Sequence, residues 1–162
     1  MSGETGKLGQ EAESIPREIL AAIYRQARAE FPSECCGYLR GRGPETVAVP
    51  CANVMDTLHA RDPEKYPRTS RNGYHFSVKD FQAFDASFAA RPPATVIYHS
   101  HPRVGAYFSD EDARLALAFS EMGYDVDYLV VDAQEDGVRE ALLFRRDGER
   151  FEQIARFPGF PV

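Results

Sequence analysis

The chain is expected to fold as a single α+β domain, a mixed and mainly antiparallel sheet flanked by helices, and three observations predict this. A length of 162 residues suits one buried core, because two independent cores at half that size would each be poorly buried. Segments with apolar residues at helical spacing alternate with short runs rich in β-branched and aromatic residues. Turns rich in Gly and Pro separate those runs at distances that suit paired strands.

Taken in order, residues 1–14 are rich in Gly, Glu, Ser and Gln and are read as a loose tail, leaving 15–162 as the domain. A first helix starts near Ile15-Pro16, with Pro16 in its first turn. Ile19, Leu20, Ile23 and Ala27 then keep helical spacing to about Glu30. Extended segments at 34–40 and 46–51 follow, around the turn Gly41-Arg42-Gly43-Pro44. Residues 53–72 are polar and read as a long surface loop, of the kind that is usually functional or mobile. A short strand at 74–76 leads to a second helix reaching about Ala90, with Ser77 and Asp80 spaced as a capping pair and Phe81, Phe84 and Phe88 on one face. A strand at 95–101, a third helix at 110–122, strands at 128–132 and 139–145 and a short final helix at 149–155 complete the reading.

The net charge of −6 argues against nucleic acid as partner, since binding phosphates needs clustered Lys and Arg. The basic residues, Arg17, Arg25, Arg28, Lys65, Arg68 and Arg71 among them, are scattered and read as solvated surface. No apolar run is long enough to cross a bilayer, and the polar start lacks a signal-peptide core. The three cysteines, Cys35, Cys36 and Cys51, are odd in number and two are adjacent, which reads as reduced thiols. A cytoplasmic location is the expectation.

The chemistry concentrates in Tyr98-His99-Ser100-His101-Pro102 and Ser109-Asp110-Glu111-Asp112. Alternate residues of a strand share a face, so His99 and His101 point the same way, and Pro102 ends the strand just beyond them. With Ser109 as cap, Asp112 falls in the first helical turn, on one stripe with Leu115, Ala116, Phe119 and Met122. A carboxylate at the head of a core-facing stripe needs a cation or donor. Two imidazoles and a carboxylate make three protein ligands and leave the fourth tetrahedral position of zinc open, as in catalytic sites. Calcium and magnesium prefer all-oxygen shells. By spacing alone, His99 and His101 also fit a half-buried structural pair, and Ser109 and Asp112 fit a helix cap. His59 and His75 read as structural or surface residues.

The ungapped pattern His99-Ser100-His101-Pro102, six residues to Ser109 and two more to Asp112, resembles the metal-binding motif of the JAMM (MPN-plus) metallopeptidases. Pro32-Ser33-Glu34-Cys35-Cys36-Gly37-Tyr38-Leu39-Arg40-Gly41 is similar to that family's segment around its catalytic glutamate, in bacterial-type members, and the order of elements agrees from about Ile15 to Arg145. The resemblance implies the JAB/MPN fold, distantly similar to that of cytidine deaminases, and one zinc ion held by His99, His101 and Asp112. It implies Glu34 as general base and proton donor to the leaving amine, and Ser109 as the hydroxyl that stabilises the oxyanion. Without it Glu34 would read as a surface glutamate opening a strand. Cys36 occupies a family cysteine position and reads as a packed thiol. The implied substrates are ubiquitin-like or sulfur-carrier proteins, cut after a C-terminal Gly-Gly. The competing function is a non-catalytic MPN-type scaffold, against which stands the retention here of every ligand, the glutamate and the serine. A zinc deaminase is disfavoured because its H-x-E and P-C-x-x-C patterns are absent. The segments 53–72 and 103–108 flank the site by position and are candidates to grip a substrate tail.

Overall fold

The computed structural model describes residues 14–162; the tail expected at 1–14 lies, apart from Ser14, outside the described residues. Helix α1 (Arg17–Glu30) precedes β1 (Cys36–Arg40) and β2 (Val47–Cys51), with α2 (Met55–Arg61) and α3 (Val78–Ser87) next. Then come β3 (Ala94–Pro102), α4 (Asp110–Glu121), β4 (Asp127–Gln134), β5 (Gly137–Asp147) and β6 (Arg150–Pro158). The strands form one sheet in the order β2-β1-β3-β4-β5-β6. Only β3 and β4 run parallel, as a crossover through α4 allows. The α+β architecture predicted from the sequence is therefore present.

Both faces of the central strands are covered, which is why β3 and β4 are buried almost end to end. Strand alternation divides their side chains. Val96 and Tyr98 join Leu39, Leu129 and Val131 under α1, whose Leu20, Ile23, Tyr24 and Ala27 make the opposing stripe. Ile97 joins Cys36, Tyr38 and Tyr128 under the aromatic face of α3 and α4, with Phe84 at its centre. His99 and His101 share parity with Ile97, so they emerge on the α3/α4 face at the end of β3. At Gly37 the backbone passes so close to the Tyr98 ring and Val49 O that a Cβ could not fit.

Four expectations are corrected. The final segment is a strand, not a helix: Gly148, with a left-handed φ of 65°, makes a tight turn after Asp147, and β6 pairs antiparallel with β5. A register shift between Leu143 and Phe144 puts Phe151 and Ile154 against different cores, so their three-residue spacing imitates a helix. The loop at 53–72 contains α2, which buries only Met55. The strand at 74–76 reduces to a single bridge between Asn53 and Phe76. The α4 stripe also ends early, since Met122 caps the helix and is exposed.

Candidate metal centre

Five side chains singled out by the sequence meet at the carboxyl end of β3. The pairing of β1 with β3 sets Cys36 opposite His99; continued by two residues, the same register brings Glu34 level with His101. The backbone holds that register beyond the strand proper, since Cys35 O accepts from Ser100 N–H at 3.1 Å and Cys35 N–H donates to Ser100 Oγ at 2.8 Å. Asp112 arrives from the first turn of α4, where Ser109 closes a capping box. The Asp112 N–H donates to Ser109 Oγ at 3.0 Å, and the Ser109 N–H donates to Asp112 Oδ2 at 3.1 Å. One local motif thus fixes a serine hydroxyl and a carboxylate relative to each other.

The donor atoms are close. His99 Nε2 and His101 Nε2 lie 3.1 Å apart, and Asp112 places Oδ1 3.2 Å from the first and Oδ2 3.1 Å from the second. Three donors on a tetrahedral shell of radius about 2.0 Å are separated by about 3.3 Å, so the spacing fits a small cation. Glu34, His99 and His101 also converge as a buried group that could hold a metal ion, their ligand atoms all within 4.8 Å of one another. Glu34, His99, His101 and Asp112 are exposed by only 4, 0, 4 and 8 %. So many ionisable groups out of water need mutual charge compensation or a cation.

The surroundings fix the rings. His101 Nδ1 donates to Gly105 O at 3.0 Å, leaving Nε2 directed at the cluster. The chain returns to make that bond through Arg103 and Gly105, with φ of 72° and 94°, the second in a region that favours glycine. His99 is oriented differently. Its ring stacks on Tyr74 at 4.5 Å, while its Nδ1 is buried without a hydrogen-bond partner among the described residues. Tyr107 packs edge-on to His101 at 5.0 Å.

Glu34 is held by its backbone. Its N–H donates to Ser70 O at 2.7 Å and its carbonyl accepts from Asn53 Nδ2 at 2.9 Å. Ser70 is itself clamped by Asp56 of α2, which accepts from its N–H and its hydroxyl at 2.7 Å each. Burial pushes the Glu34 carboxyl above its ordinary range, against the opposing charges of His99 and His101. Asn53, Asp56, Ser70, Ser100 and Tyr74 were not foreseen, because each supports the site through a contact remote in sequence. Arg68 and Arg71, expected as solvated surface, line the cleft of about 170 Å³ that also contains Glu34, His101, Ser109 and Asp112.

Two shifts set opposite pH limits on the cluster. Burial would lower the His101 imidazole, but the hydrogen bond and charge of Asp112 outweigh it and raise it. Burial would raise the Asp112 carboxyl, but the charge of His99 and the bonds from both imidazoles hold it far below the carboxylate range. In chelator-treated protein, the stabilisation from His101 is complete below the unfolded imidazole value of about 6.5 and lost as pH rises through the raised one. That from Asp112 is complete above about 3.9 and lost as pH falls through the lowered value. The chelated protein is expected to have its highest Tm between roughly pH 4 and 6.5, and added metal to raise Tm most above that window, where no proton need be displaced from His101. Thermal melts across pH with and without chelator check this; a metal increment growing on acidification would contradict it.

The model of prokaryotic homologs of the JAB domain matches residues 16–141. The chain belongs to the prokaryotic JAB-domain family. Similarity at the level of whole chains agrees with this membership. The CysO-cysteine peptidases of Mycobacterium tuberculosis and Mycobacterium bovis are each 29% identical to this JAB-domain chain over 131 residues, covering 81% of it and 80% of the relative. Two solution structures share the fold. A Desulfitobacterium hafniense protein aligns with a TM-score of 0.54 at 23% identity, covering 85% of this chain and 86% of that one. A Salinibacter ruber protein aligns with a TM-score of 0.50 at 19% identity and the same coverage. No helix among the described residues of the JAB-domain chain is long and apolar enough to cross a membrane.

Proposed function

We propose that the chain is a zinc-dependent peptidase that hydrolyses the bond following the C-terminal Gly-Gly of a sulfur-carrier or ubiquitin-like protein. The observation that carries this reading is the convergence of His99, His101 and Asp112 at tetrahedral spacing beside a buried glutamate. The substrate class rests on the resemblance, and for the sulfur carrier on the name of the mycobacterial relatives. His99, His101 and Asp112 are the ligands, a set that suits zinc and leaves one tetrahedral position open. Zinc bound there would polarise the scissile carbonyl and bring the pKa of water down to about 7.

The chain's own groups supply the rest. Glu34, whose carboxyl burial holds above its ordinary range, is suited to accept a proton from the attacking water and pass it to the leaving amine. Ser109 Oγ already accepts from the Asp112 N–H, so its own O–H remains to donate to the carbonyl oxygen as charge develops. The N-terminus of α4 adds a favourable field at the same place.

Zinc-loaded protein is expected to release free cysteine from a sulfur-carrier protein extended by one C-terminal cysteine, and to lose that activity on chelation. Ser109→Ala should lower kcat by about 100-fold or more and weaken the helix cap by about 1 kcal/mol. Steady-state kinetics and melting curves measure both. An unchanged kcat in Ser109→Ala would remove the hydroxyl from the mechanism.

A further inference from the structure

The cleft contains two cations that the reaction as described does not use. Arg68 is half-buried and seated on purpose-shaped backbone. Its aliphatic stem lies against Gly73, where a Cβ would meet Arg68 Cβ at 3.2 Å and Cδ at 3.3 Å. Its Nη1 donates to Asn72 O at 2.7 Å, and its other N–H groups have no hydrogen-bond acceptor among the described residues. The guanidinium is close enough to Glu34 and Glu111 to act on both carboxyls. Arg71 lines the same cleft; its charge acts on Asp56 at a distance, but its side chain makes no hydrogen bond or ion pair among the described residues. Of the cleft's other carboxylates, Asp112 faces His99 and His101, and Glu111 is occupied by Arg114, which bonds it through Nε at 3.0 Å and Nη2 at 2.5 Å. The two arginines therefore present side-chain donors to the cleft that no carboxylate among the described residues engages in a hydrogen bond or ion pair.

We propose that Arg68 and Arg71 receive the α-carboxylate of the leaving residue, so that the bond cut is the one joining a carrier protein to a single amino acid with a free C-terminus. The inference rests on the hydrolase reading and narrows its substrate. The α-carboxylate of a single leaving residue is two bonds from the scissile nitrogen. Its receptor must therefore share the cleft with Glu34 and Ser109, as these arginines do. Planar guanidinium N–H pairs match a carboxylate in two-point geometry. A lysine side chain leaving from an isopeptide brings no carboxylate to that position, and a longer peptide brings only a neutral amide. In the reaction the carrier carbonyl gains a C–O bond from water and its C–N bond breaks. The nitrogen takes a proton from Glu34, and the amino acid departs with its carboxylate unchanged. Specificity for a free carboxylate is thus set on the leaving side, apart from the groups that carry out hydrolysis.

The test uses a sulfur-carrier protein extended by one cysteine, made as the C-terminal acid and as the carboxamide, and the same carrier linked to a peptide through a lysine ε-amine. Zinc-loaded enzyme is expected to show a KM for the acid lower by about tenfold or more than for the other two, as a charge-assisted contact in a partly exposed cleft provides. The acid-to-amide ratio should fall towards one in Arg71→Gln and in Arg68→Gln, and be partly restored in Arg68→Lys. Binding of the acid and amide forms to the Glu34→Gln protein, followed by fluorescence anisotropy, reads the same preference without turnover. Equal KM values and equal binding for acid and amide in the wild type, or a preference that survives both glutamine variants, would overturn the assignment. No turnover of any substrate together with acid-selective binding that depends on the arginines would refute the hydrolase reading and leave the carboxylate receptor standing.

Discussion

His99→Ala is expected to abolish retention of zinc and, with it, hydrolysis. The ring is fully buried, stacked on Tyr74, and its Nε2 lies within 3.2 Å of donor atoms on both His101 and Asp112. Its loss leaves two donors, on His101 and Asp112, where the proposed ligand set has three. Outer-shell changes alone cost about 10- to 100-fold in metal affinity, so loss of a ligand should exceed that. The variant also opens a cavity beneath Tyr74, and a loss of about 2–4 kcal/mol is expected from truncating a buried ring. His101→Gln separates the two effects, because it keeps most of the volume while exchanging the coordinating imidazole for a poor ligand. Metal content and chelated-state melting of both variants check this. Zinc retained in both would remove the histidines from the ligand set.

Glu34→Gln is expected to lower kcat by about 100- to 10,000-fold, the range for loss of a positioned general base, while zinc content stays at the wild-type level. The amide is nearly isosteric, and the bonds that place residue 34, to Ser70 O and from Asn53 Nδ2, use only its backbone. The cleft should therefore keep its shape. Because burial opposes ionisation of this carboxyl, its replacement by a neutral group should leave Tm unchanged or raise it. The zinc measurement distinguishes two donor sets that share His99 and His101. If Asp112 completes the set, Asp112→Asn loses metal and Glu34→Gln keeps it; if Glu34 completes it, the result is reversed.

Much of the site could be read because its signals are local. Strand parity aims His99 and His101 to one face, and the capping spacing of Ser109 and Asp112 delivers a carboxylate at a helix start; both are present in the structure. Glu34 is different. Nothing in its spacing marks it, and its approach to His101 follows from the antiparallel register of β1 on β3, a pairing between residues more than 50 apart in sequence. The family resemblance supplied what spacing could not. The supports of Glu34 are still less visible, since Asp56 reaches it only through Ser70, and Asn53 through its side-chain amide. In the fold, β6 was misread because its apolar residues divide between two cores on either side of a bulge. The Asp147-Gly148 turn was the signal that should have outweighed their spacing. Helix α2 buries too little to imprint a periodicity. Arg68 and Arg71 looked like solvated charge because sequence shows their distribution along the chain and not the cleft in which they meet.

The proposed function requires that His99, His101 and Asp112 together hold a zinc ion. Elemental analysis of purified protein beside Asp112→Asn tests it most directly. About one zinc per wild-type chain and close to none in the variant is the expected result; wild-type protein that stays zinc-free after incubation with the metal would contradict the assignment.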